Sequence, residues 1–287
     1  MTLSKPQCLC CSSSKVRLRY SKVYHPRMTD HGPFDLFNCG SCGSLFTFPV
    51  PKIDEISSFY EKLQDGMPIE LRNARESSPQ NGIYKSYMKI VSRLVDSEDF
   101  SWLEIGSGGG EFAEILSEAK PKTEGLCLDF HSRPESLTNK NVSWNQLDLN
   151  KELENIVESF DLVVSFAVLE HVQDPINFVS NIVRLIKSKG KGLIVCPNYS
   201  SFASRILGRT WPYFSPGEHL TIPSLKGASC LMYNHVNCDF KVLPINMPYS
   251  IKYMTEVLGQ KKISSMIPPD WTLPFPTGAL SIEIYKK

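Results

Sequence analysis

Five of the nine cysteines lie within the first 42 residues, and four of these form two C-x-x-C pairs. The first pair is Cys8 and Cys11, and the second is Cys39 and Cys42. Two such pairs on short hairpins can place four thiolates about 2.3 Å from a tetrahedral Zn²⁺. The spacing therefore predicts a zinc ribbon. A closed shell of four thiolates leaves no position for water, so the predicted metal is structural.

Three further residues near these pairs are alternative zinc ligands. Cys10 would form a C-x-C pair with Cys8, a spacing that is less typical of zinc ribbons than C-x-x-C. His25 or His31 would each replace one thiolate. The first 50 residues carry six Lys or Arg against two Asp, which would suit nucleic acid. However, four thiolates and one Zn²⁺ together carry a formal charge of about −2, which halves this excess.

A glycine-rich loop lies where the sequence begins to alternate short apolar runs with amphipathic helices. Residues 102–105 read as a strand, residues 106–110 as Gly-Ser-Gly-Gly-Gly, and residues 111–119 as a helix. Backbone N–H groups and the dipole at such a helix N-terminus favour a bound carboxylate or phosphate. A dinucleotide fingerprint needs a further glycine where Glu111 stands, and no Gly-Lys-Ser/Thr follows. The loop therefore disfavours NAD, FAD and P-loop nucleotides.

Acidic residues follow the next two predicted strands. The predicted strand of residues 123–128 is followed directly by Asp129. Asp129 lies 23 residues beyond Gly106, within the usual offset of an acid that holds a ribose diol. A third predicted strand, residues 142–147, is followed by Asp148. A fourth, residues 160–166, leads into the Glu-His-Val motif at residues 170–172. Each acid on its own can also cap a helix or a turn. Ligands in parallel sheets bind at the carboxyl ends of strands, which favours a binding site here.

The four motifs together resemble class I S-adenosylmethionine-dependent methyltransferases. The match to the first motif, E-x-G-x-G-x-G, is carried by Glu104, Gly106, Gly108 and Gly110. This resemblance implies that S-adenosylmethionine is the cofactor. It also implies that Asp129 holds the ribose and Asp148 the adenine amino group, with Phe166 at the cofactor site.

The predicted fold class is α/β, a Rossmann-like seven-stranded methyltransferase sheet with a small N-terminal zinc-ribbon module. We expect the ribbon in residues 1–51, a helical linker or lid in residues 52–100, and the methyltransferase domain in residues 101–287. Within the last of these, residues 246–278 are a proline-rich insertion that is expected to form a substrate surface or a packed hairpin lid.

Catalytic candidates come from the C-terminal third and from the Glu-His-Val motif. Glu218 and His219 resemble the E-H element of deoxysugar C-methyltransferases and related enzymes, which also begin with paired C-x-x-C motifs. Those enzymes carry a further C-terminal domain that this chain has too few residues to form. The resemblance implies that His219 is the general base beside the substrate. His171 is the second candidate, and Tyr199 and Tyr213 are further ones.

The leading functional hypothesis is methyl transfer to a small molecule, most simply a hydroxyl of a nucleotide-linked sugar or a surface polysaccharide. The alternatives are an RNA methyltransferase that grips its substrate with the ribbon, and a binding module without turnover. A net charge of +1 and the lack of a dense basic stripe disfavour nucleic acid. The first ten residues contain no apolar run and no stretch is long enough to span a bilayer, so we expect a cytoplasmic protein. The sequence does not determine the oligomeric state.

Overall fold

The structure is a computed structural model that describes residues 5–25, 32–56, 58, 80–137, 141–233, 235, 237–252, 255, 261–268 and 271–287. Within these ranges, eleven strands form two sheets. The strands are β1 (Val16–Val23), β2 (Phe34–Cys39), β3 (Leu45–Thr47), β4 (Ser101–Ile105), β5 (Glu124–Asp129), β6 (Val142–Gln146), β7 (Phe160–Phe166), β8 (Ile186–Pro197), β9 (Thr221–Ile222), β10 (Cys238–Ser250) and β11 (Thr272–Lys286). The helices are α1 (Gln80–Leu94), α2 (Glu111–Ala119), α3 (Pro175–Leu185), α4 (Phe202–Leu207), α5 (Leu225–Met232) and α6 (Lys261–Ser264).

The larger sheet has seven strands in the order β10-β11-β8-β7-β4-β5-β6. β11 is antiparallel to both of its neighbours, whereas β4 to β8 pair in parallel. β4 lies between β5 and β7, so the strand order reverses there. In open α/β sheets, ligands bind beyond the carboxyl ends of the strands at such a reversal. The predicted seven-stranded methyltransferase sheet is confirmed.

Both faces of this sheet are covered. Alternate side chains of β4 enter different cores: Trp102 packs with residues of α1 and α2, and Leu103 with residues of α3 and α5. Strands that are buried on both faces have few polar positions, which explains why β4 and β7 read as apolar runs. In the described ranges, no helix is both long and apolar enough to cross a membrane.

The smaller sheet has four antiparallel strands in the order β1-β2-β3-β9. Its fourth strand comes from far along the chain: Leu45 pairs with Ile222 and Phe46 with Thr221. In the sequence, residues 16–20 alternate as a strand does, and residues 45–48 form a short run that Pro49 ends, which predicts β1 and β3. Nothing predicts β9, because two residues are too few to carry a periodicity. We call β1, β2, β3 and the N-terminal cysteines the N-terminal module.

Helix α5 packs directly against the second C-x-x-C pair. The backbone N–H of Ser224 donates to Ser44 Oγ at 3.1 Å, and Ser224 Oγ donates to the carbonyl of Cys42. A Cβ on Gly227 would lie 2.0 Å from Ser44 Oγ. Glycine is therefore required here for the close approach of the helix to the N-terminal module.

Some expectations concern segments that the structure only partly describes. The polar linker of residues 72–82 falls mostly outside the described residues, and α1 begins near its end. The insertion 246–278 contributes to the sheet at both ends, because β10 and β11 continue to pair as far as Ser250 with Thr272. The extended pairing of β10 with β11 therefore shortens the expected insertion between the last two strands.

Substitution of Gly227 tests the packing of α5 against the N-terminal module. Gly227→Ala should lower the free energy of unfolding by about 1–3 kcal/mol, because the new methyl group overlaps Ser44 Oγ. In a helix without this contact, the same change would instead stabilise the protein by up to about 1 kcal/mol. Urea unfolding of Gly227→Ala, Ser44→Ala and the double variant provides the measurement. The double variant should recover part of the loss, and additive effects would contradict the contact.

Candidate active site

The loop between β4 and α2 has a backbone that only glycine adopts readily. Gly106, Gly108 and Gly110 have φ values of 78°, 54° and 79°, in the left-handed region. A Cβ on Gly106 would also lie 2.2 Å from a methyl carbon of Val168. The three glycines of the predicted motif therefore allow the backbone to turn tightly at the carboxyl end of β4, with the N-terminus of α2 beside it.

Asp129 lies at the end of β5, next to this loop. Its Oδ2 accepts from the backbone N–H of Gly108 at 2.7 Å, and its Oδ1 accepts from the N–H of His131 at 2.9 Å. The side chain is 7% exposed. The carboxylate is thus fixed beside the glycine loop, where a ribose diol would find an acceptor.

Glu104 adds a second, buried carboxyl group to this region. Burial raises its pKa well above the usual range, and the nearby Glu111 and Asp129 raise the pKa further. The carboxylates of Glu111 and Asp129 beside this loop favour a ligand that carries positive charge. S-adenosylmethionine has a sulfonium and an ammonium group, so the residues at the ends of β4 and β5 fit this cofactor.

The remaining two predicted cofactor residues have local partners. Asp148 follows β6 by two residues; it accepts from the N–H of Asn150 at 3.0 Å and forms an ion pair with Lys151. Phe166 ends β7, and its ring stacks on Tyr87 with centroids 4.2 Å apart. Asp148 therefore closes a turn and Phe166 belongs to an aromatic cluster. Both stand at the same edge of the sheet as Asp129, and their contact with adenine remains a prediction.

The Glu-His-Val turn after β7 is tied to the segment that carries Glu218 and His219. The carbonyl of Glu170 accepts from the N–H groups of Leu220 and Thr221, at 2.7 and 3.2 Å. We call residues 215–219 the E-H segment. Its turn is closed by the N–H of His219, which donates to the carbonyl of Ser215 at 2.8 Å. These backbone bonds bring together candidates that are 48 positions apart in the chain.

The two predicted histidines face each other edge to face, with ring centroids 4.7 Å apart. Nδ1 of His219 hydrogen-bonds the carbonyl of Tyr213 at 2.7 Å, and Nδ1 of His171 the carbonyl of Glu218 at 3.1 Å. A carbonyl oxygen only accepts, so Nδ1 carries the proton in both neutral rings. The basic nitrogen of each ring is therefore Nε2, and its orientation is set by the backbone.

Glu170 is a buried carboxyl group beside these rings. It is 1% exposed, its Oε1 lies 4.0 Å from Nε2 of His171, and its Oε2 has no hydrogen-bond partner within the described residues. Acceptor atoms of Glu170, His171 and His219 all lie within 4.8 Å of one another. Burial, with a further contribution from the charge of Glu218, raises the pKa of Glu170 to about 8. The group is therefore mostly protonated at neutral pH.

His25 of the N-terminal module also reaches this site, which the sequence did not indicate. Its Nε2 lies 3.1 Å from Oε2 of Glu218 and 3.4 Å from Oγ of Ser215, and the residue is 1% exposed. A contact across 193 residues leaves no periodic signal. The sequence identified His25 only as an alternative zinc ligand. In the structure it instead orients the carboxylate next to His219.

The four predicted zinc ligands gather at the base of the N-terminal module. Sγ of Cys8 lies 3.5 Å from Sγ of Cys42, and Sγ of Cys11 lies 3.6 Å from Sγ of Cys39. A tetrahedral zinc with bonds of about 2.3 Å requires sulfur separations of about 3.8 Å, so the four sulfurs fit it. Although burial opposes ionisation, N–H groups of Ser41 and Cys42 lower the pKa of Cys39 to about 7. Cys10 lies outside this group.

A family model described as a methyltransferase domain matches residues 73–230, which is more than half of the chain. The chain belongs to this methyltransferase family. The matched range contains the glycine loop, Asp129, Asp148 and both histidines of the site. Together with the fold, it shows that the protein is an S-adenosylmethionine-dependent methyltransferase.

The curated relatives include ubiquinone biosynthesis O-methyltransferases from three bacteria. The methyltransferase of Coxiella burnetii is 23% identical over 168 residues, which cover 56% of this chain and 69% of the relative. That of Cereibacter sphaeroides is 29% identical over 141 residues, covering 45% and 55%. That of Rickettsia bellii is 32% identical over 110 residues, covering 37% and 45%.

Solved structures share the fold at low sequence identity. The plantazolicin methyltransferase BpumL, in complex with a substrate analogue and S-adenosylhomocysteine, has a TM-score of 0.52 at 14% identity and covers 79% of this chain and 92% of its own. A chain in the complex of the Haloferax volcanii Trm112 activator with a putative methyltransferase has a TM-score of 0.53 at 15% identity, covering 75% and 95%. These similarities support the methyltransferase fold.

Asp129 should contribute to cofactor affinity. Asp129→Asn removes the charge that accepts from the loop, so the dissociation constant of S-adenosylhomocysteine should rise about 10- to 100-fold, as for one hydrogen bond to a charged group. Isothermal titration calorimetry provides the measurement. Asp99→Asn, an exposed site before β4, is the matched control and should bind normally. Equal affinities for all three proteins would show that Asp129 is not the ribose partner.

Glu170 should make stability depend on pH. The pKa of Glu170 lies near 8 in the folded protein and near 4.5 in the unfolded chain. Between these two pH values, folding is therefore accompanied by the uptake of a proton, which favours the folded state at lower pH. This contribution is complete below about pH 4.5 and is lost as the pH rises through about 8. Between pH 6 and pH 9 the wild type should therefore lose more thermal stability than Glu170→Gln. The exposed control Glu158→Gln should behave like the wild type, and parallel curves for all three would contradict the assignment.

Proposed function

We propose that this methyltransferase transfers the methyl group of S-adenosylmethionine to a hydroxyl of a small sugar, with His219 as the general base. The observation that carries the proposal is the fixed tautomer of His219: its Nδ1–H is held by the carbonyl of Tyr213, which leaves Nε2 to accept a proton. The relatives are O-methyltransferases by name, which supports an oxygen acceptor.

The surroundings of His219 support a polar acceptor. Described side chains near it include those of His25, Glu170, His171 and Glu218, all of which hydrogen-bond or ionise. Carbohydrate hydroxyls need several such partners, because each polar group that leaves water must be paired again. The site therefore favours a polyhydroxylated compound.

The chain's own residues have three tasks in this reaction. When bound, S-adenosylmethionine supplies an electrophilic methyl group on a sulfonium. Residues of the glycine loop and Asp129 hold it, so that the methyl group and the acceptor oxygen can be brought into line. His219 takes the hydroxyl proton at Nε2 as the new bond forms. Glu218 and His25 fix the position of the E-H segment that presents His219.

The acceptor class can be identified by a transfer assay. Purified protein is incubated with S-adenosylmethionine carrying a labelled methyl group and with nucleotide sugars, polysaccharide fragments, polyhydroxylated or prenylated phenols, or RNA. We expect label in the nucleotide sugars or polysaccharide fragments, as an ether that resists base. Label in phenols alone, or in RNA alone, would refute the sugar proposal and leave the methyltransferase assignment intact.

Substitution of His219 tests the base. His219→Ala should lower kcat by about 10²- to 10⁴-fold, the usual contribution of one general base, with unchanged affinity for S-adenosylhomocysteine. His235→Ala, a histidine outside the site, is the matched control. His25→Gln should lower kcat less than His219→Ala does, since it acts through Glu218. If His219→Ala turned over normally, another residue would have to be the base.

The cysteine cluster is proposed to hold one structural Zn²⁺ through Cys8, Cys11, Cys39 and Cys42. The sulfur separations support it, and so does the gathering of the four sulfurs within 4.8 Å of one another. A small fold of this kind commonly depends on a metal for stability.

Metal analysis of purified protein tests the zinc site. The wild type should contain one equivalent of zinc, and Cys39→Ser should lose it together with thermal stability. Cys10→Ser is the matched control, because Cys10 is buried nearby but lies outside the cluster. Loss of zinc from Cys10→Ser with retention in Cys39→Ser would mean that the ligand set is different. A stable, metal-free wild type would rule out the site.

A further inference from the structure

A cavity of about 640 Å³ lies between the N-terminal module and the segment that follows β8, and we call it the junction cavity. Its walls come from β1, from the Cys42–Gly43 end of the second C-x-x-C pair, from α4 and from the start of α5. This volume is in the range that holds a small organic ligand. It is separate from the glycine loop, none of whose residues lines it.

The walls of the junction cavity are strongly basic. Four cations line it, and no Asp or Glu is among its lining residues in the described part of the chain. The cations are Arg17, Arg19, Arg205 and Lys226. None of the four forms an ion pair with a carboxylate in the described ranges, although the whole chain carries a net charge of only +1. All four side chains are exposed to solvent, so an anion can reach them, and clustered cations raise the local concentration of anions.

A β-bulge in β1 places two consecutive side chains at this cavity. The pairing with β2 shifts between Leu18 and Tyr20, so Arg19 and Tyr20 both oppose the partner strand near one residue. Arg19 and Tyr20 then line the same cavity, which regular alternation would prevent. The guanidinium of Arg19 lies 5.2 Å from the ring centre of Tyr20, and the neighbouring side chain of Tyr199 raises the pKa of Arg19. Neighbouring contacts therefore hold Arg19 in place.

The chemistry of these walls specifies the ligand. Guanidinium groups bind phosphate through paired N–H donors, and two or more suit a group with several negative oxygens. Tyr20 and Tyr199 also line the cavity, and a tyrosine ring can stack on a planar base. The start of α5 adds the positive end of a helix dipole. Together these features match a nucleoside diphosphate better than a single anion.

The junction cavity is joined to the candidate active site by a short stretch of chain. Ser224 and Lys226 line the cavity only five and seven residues after His219. The N–H of Tyr199 donates to the carbonyl of Pro223 at 2.8 Å, which ties the wall from β8 to the same stretch. One rigid segment thus carries the proposed base at one end and a cavity wall at the other.

We infer that the junction cavity binds the nucleoside diphosphate portion of the methyl acceptor. This inference rests on the proposed function for the identity of the acceptor, and it narrows that proposal to nucleotide-linked sugars. Arg17, Arg19, Arg205 and Lys226 hold the diphosphate, and the two tyrosines hold the base. The binding itself requires no methyl transfer and can be measured separately.

Calorimetry with uridine diphosphate, inorganic pyrophosphate and uridine provides the test, using the zinc-loaded full chain with S-adenosylhomocysteine present. Uridine diphosphate should bind at least tenfold more tightly than pyrophosphate, and uridine should bind weakest. Arg17→Gln and Arg205→Gln should each weaken uridine diphosphate binding tenfold or more, with unchanged affinity for S-adenosylhomocysteine and unchanged Tm. Lys122→Gln, an exposed lysine outside the cavity, is the matched control.

Absence of uridine diphosphate binding at millimolar concentration, or binding that Arg17→Gln and Arg205→Gln leave intact, would overturn the inference. So would a short oligoribonucleotide that binds more tightly than uridine diphosphate and loses affinity in the same variants. If uridine diphosphate binds as expected but no sugar is methylated, the cavity assignment stands and the proposed function fails. If a sugar without phosphate is methylated and uridine diphosphate does not bind, only the cavity assignment fails.

Discussion

Two backbone pairs, Leu45 with Ile222 and Phe46 with Thr221, join the N-terminal module to the methyltransferase part of the chain. The rest of the site depends on these two pairs, because Thr221 and Ile222 follow His219 closely in the chain. The carbonyl of Glu170 holds the same residues from the other side, since it accepts from the N–H groups of Leu220 and Thr221. Hydrogen bonds on both sides therefore fix the E-H segment between two sheets. The N-terminal module is consequently part of the active-site structure, and its proposed zinc stabilises the acceptor side of the enzyme.

Strands β4, β5 and β7 were predictable, because they are apolar runs that end at the glycine loop, Asp129 and the Glu-His-Val turn. The seven-stranded sheet was implied by the family resemblance, and the order of its strands was not predicted. Sequence also identified the four cysteines, since their spacing alone suits one metal. It missed β9, which is two residues long, and the contact of His25 with Glu218, which spans 193 residues. Neither leaves a periodic or local signal. The extended pairing of β10 with β11 was missed because Pro244, Pro248, Pro274 and Pro276 lie in it, and proline normally argues against a strand.

Charge divides the molecule into two binding environments. Glu111 and Asp129 make the surroundings of the glycine loop acidic, which suits a cationic methyl donor. Arg17, Arg19, Arg205 and Lys226 make the junction cavity basic, which suits an anionic part of the acceptor. The net charge of +1 conceals this separation. His219 lies along the chain between Arg205 and Lys226, and His171 follows β7 of the sheet that carries the glycine loop.

The proposed mechanism requires the cofactor and Nε2 of His219 to lie close together where the two sheets join. The most direct measurement is the distance from the sulfur of S-adenosylhomocysteine to Nε2 of His219 in a crystal structure of the complex. A methyl group, an acceptor oxygen and one hydrogen bond must fit between the sulfur and Nε2. We therefore expect these two atoms to lie within about 8 Å of each other, with the sulfur directed toward His219. A sulfur that points away from the E-H segment, or that lies beyond about 12 Å from Nε2, would contradict the account.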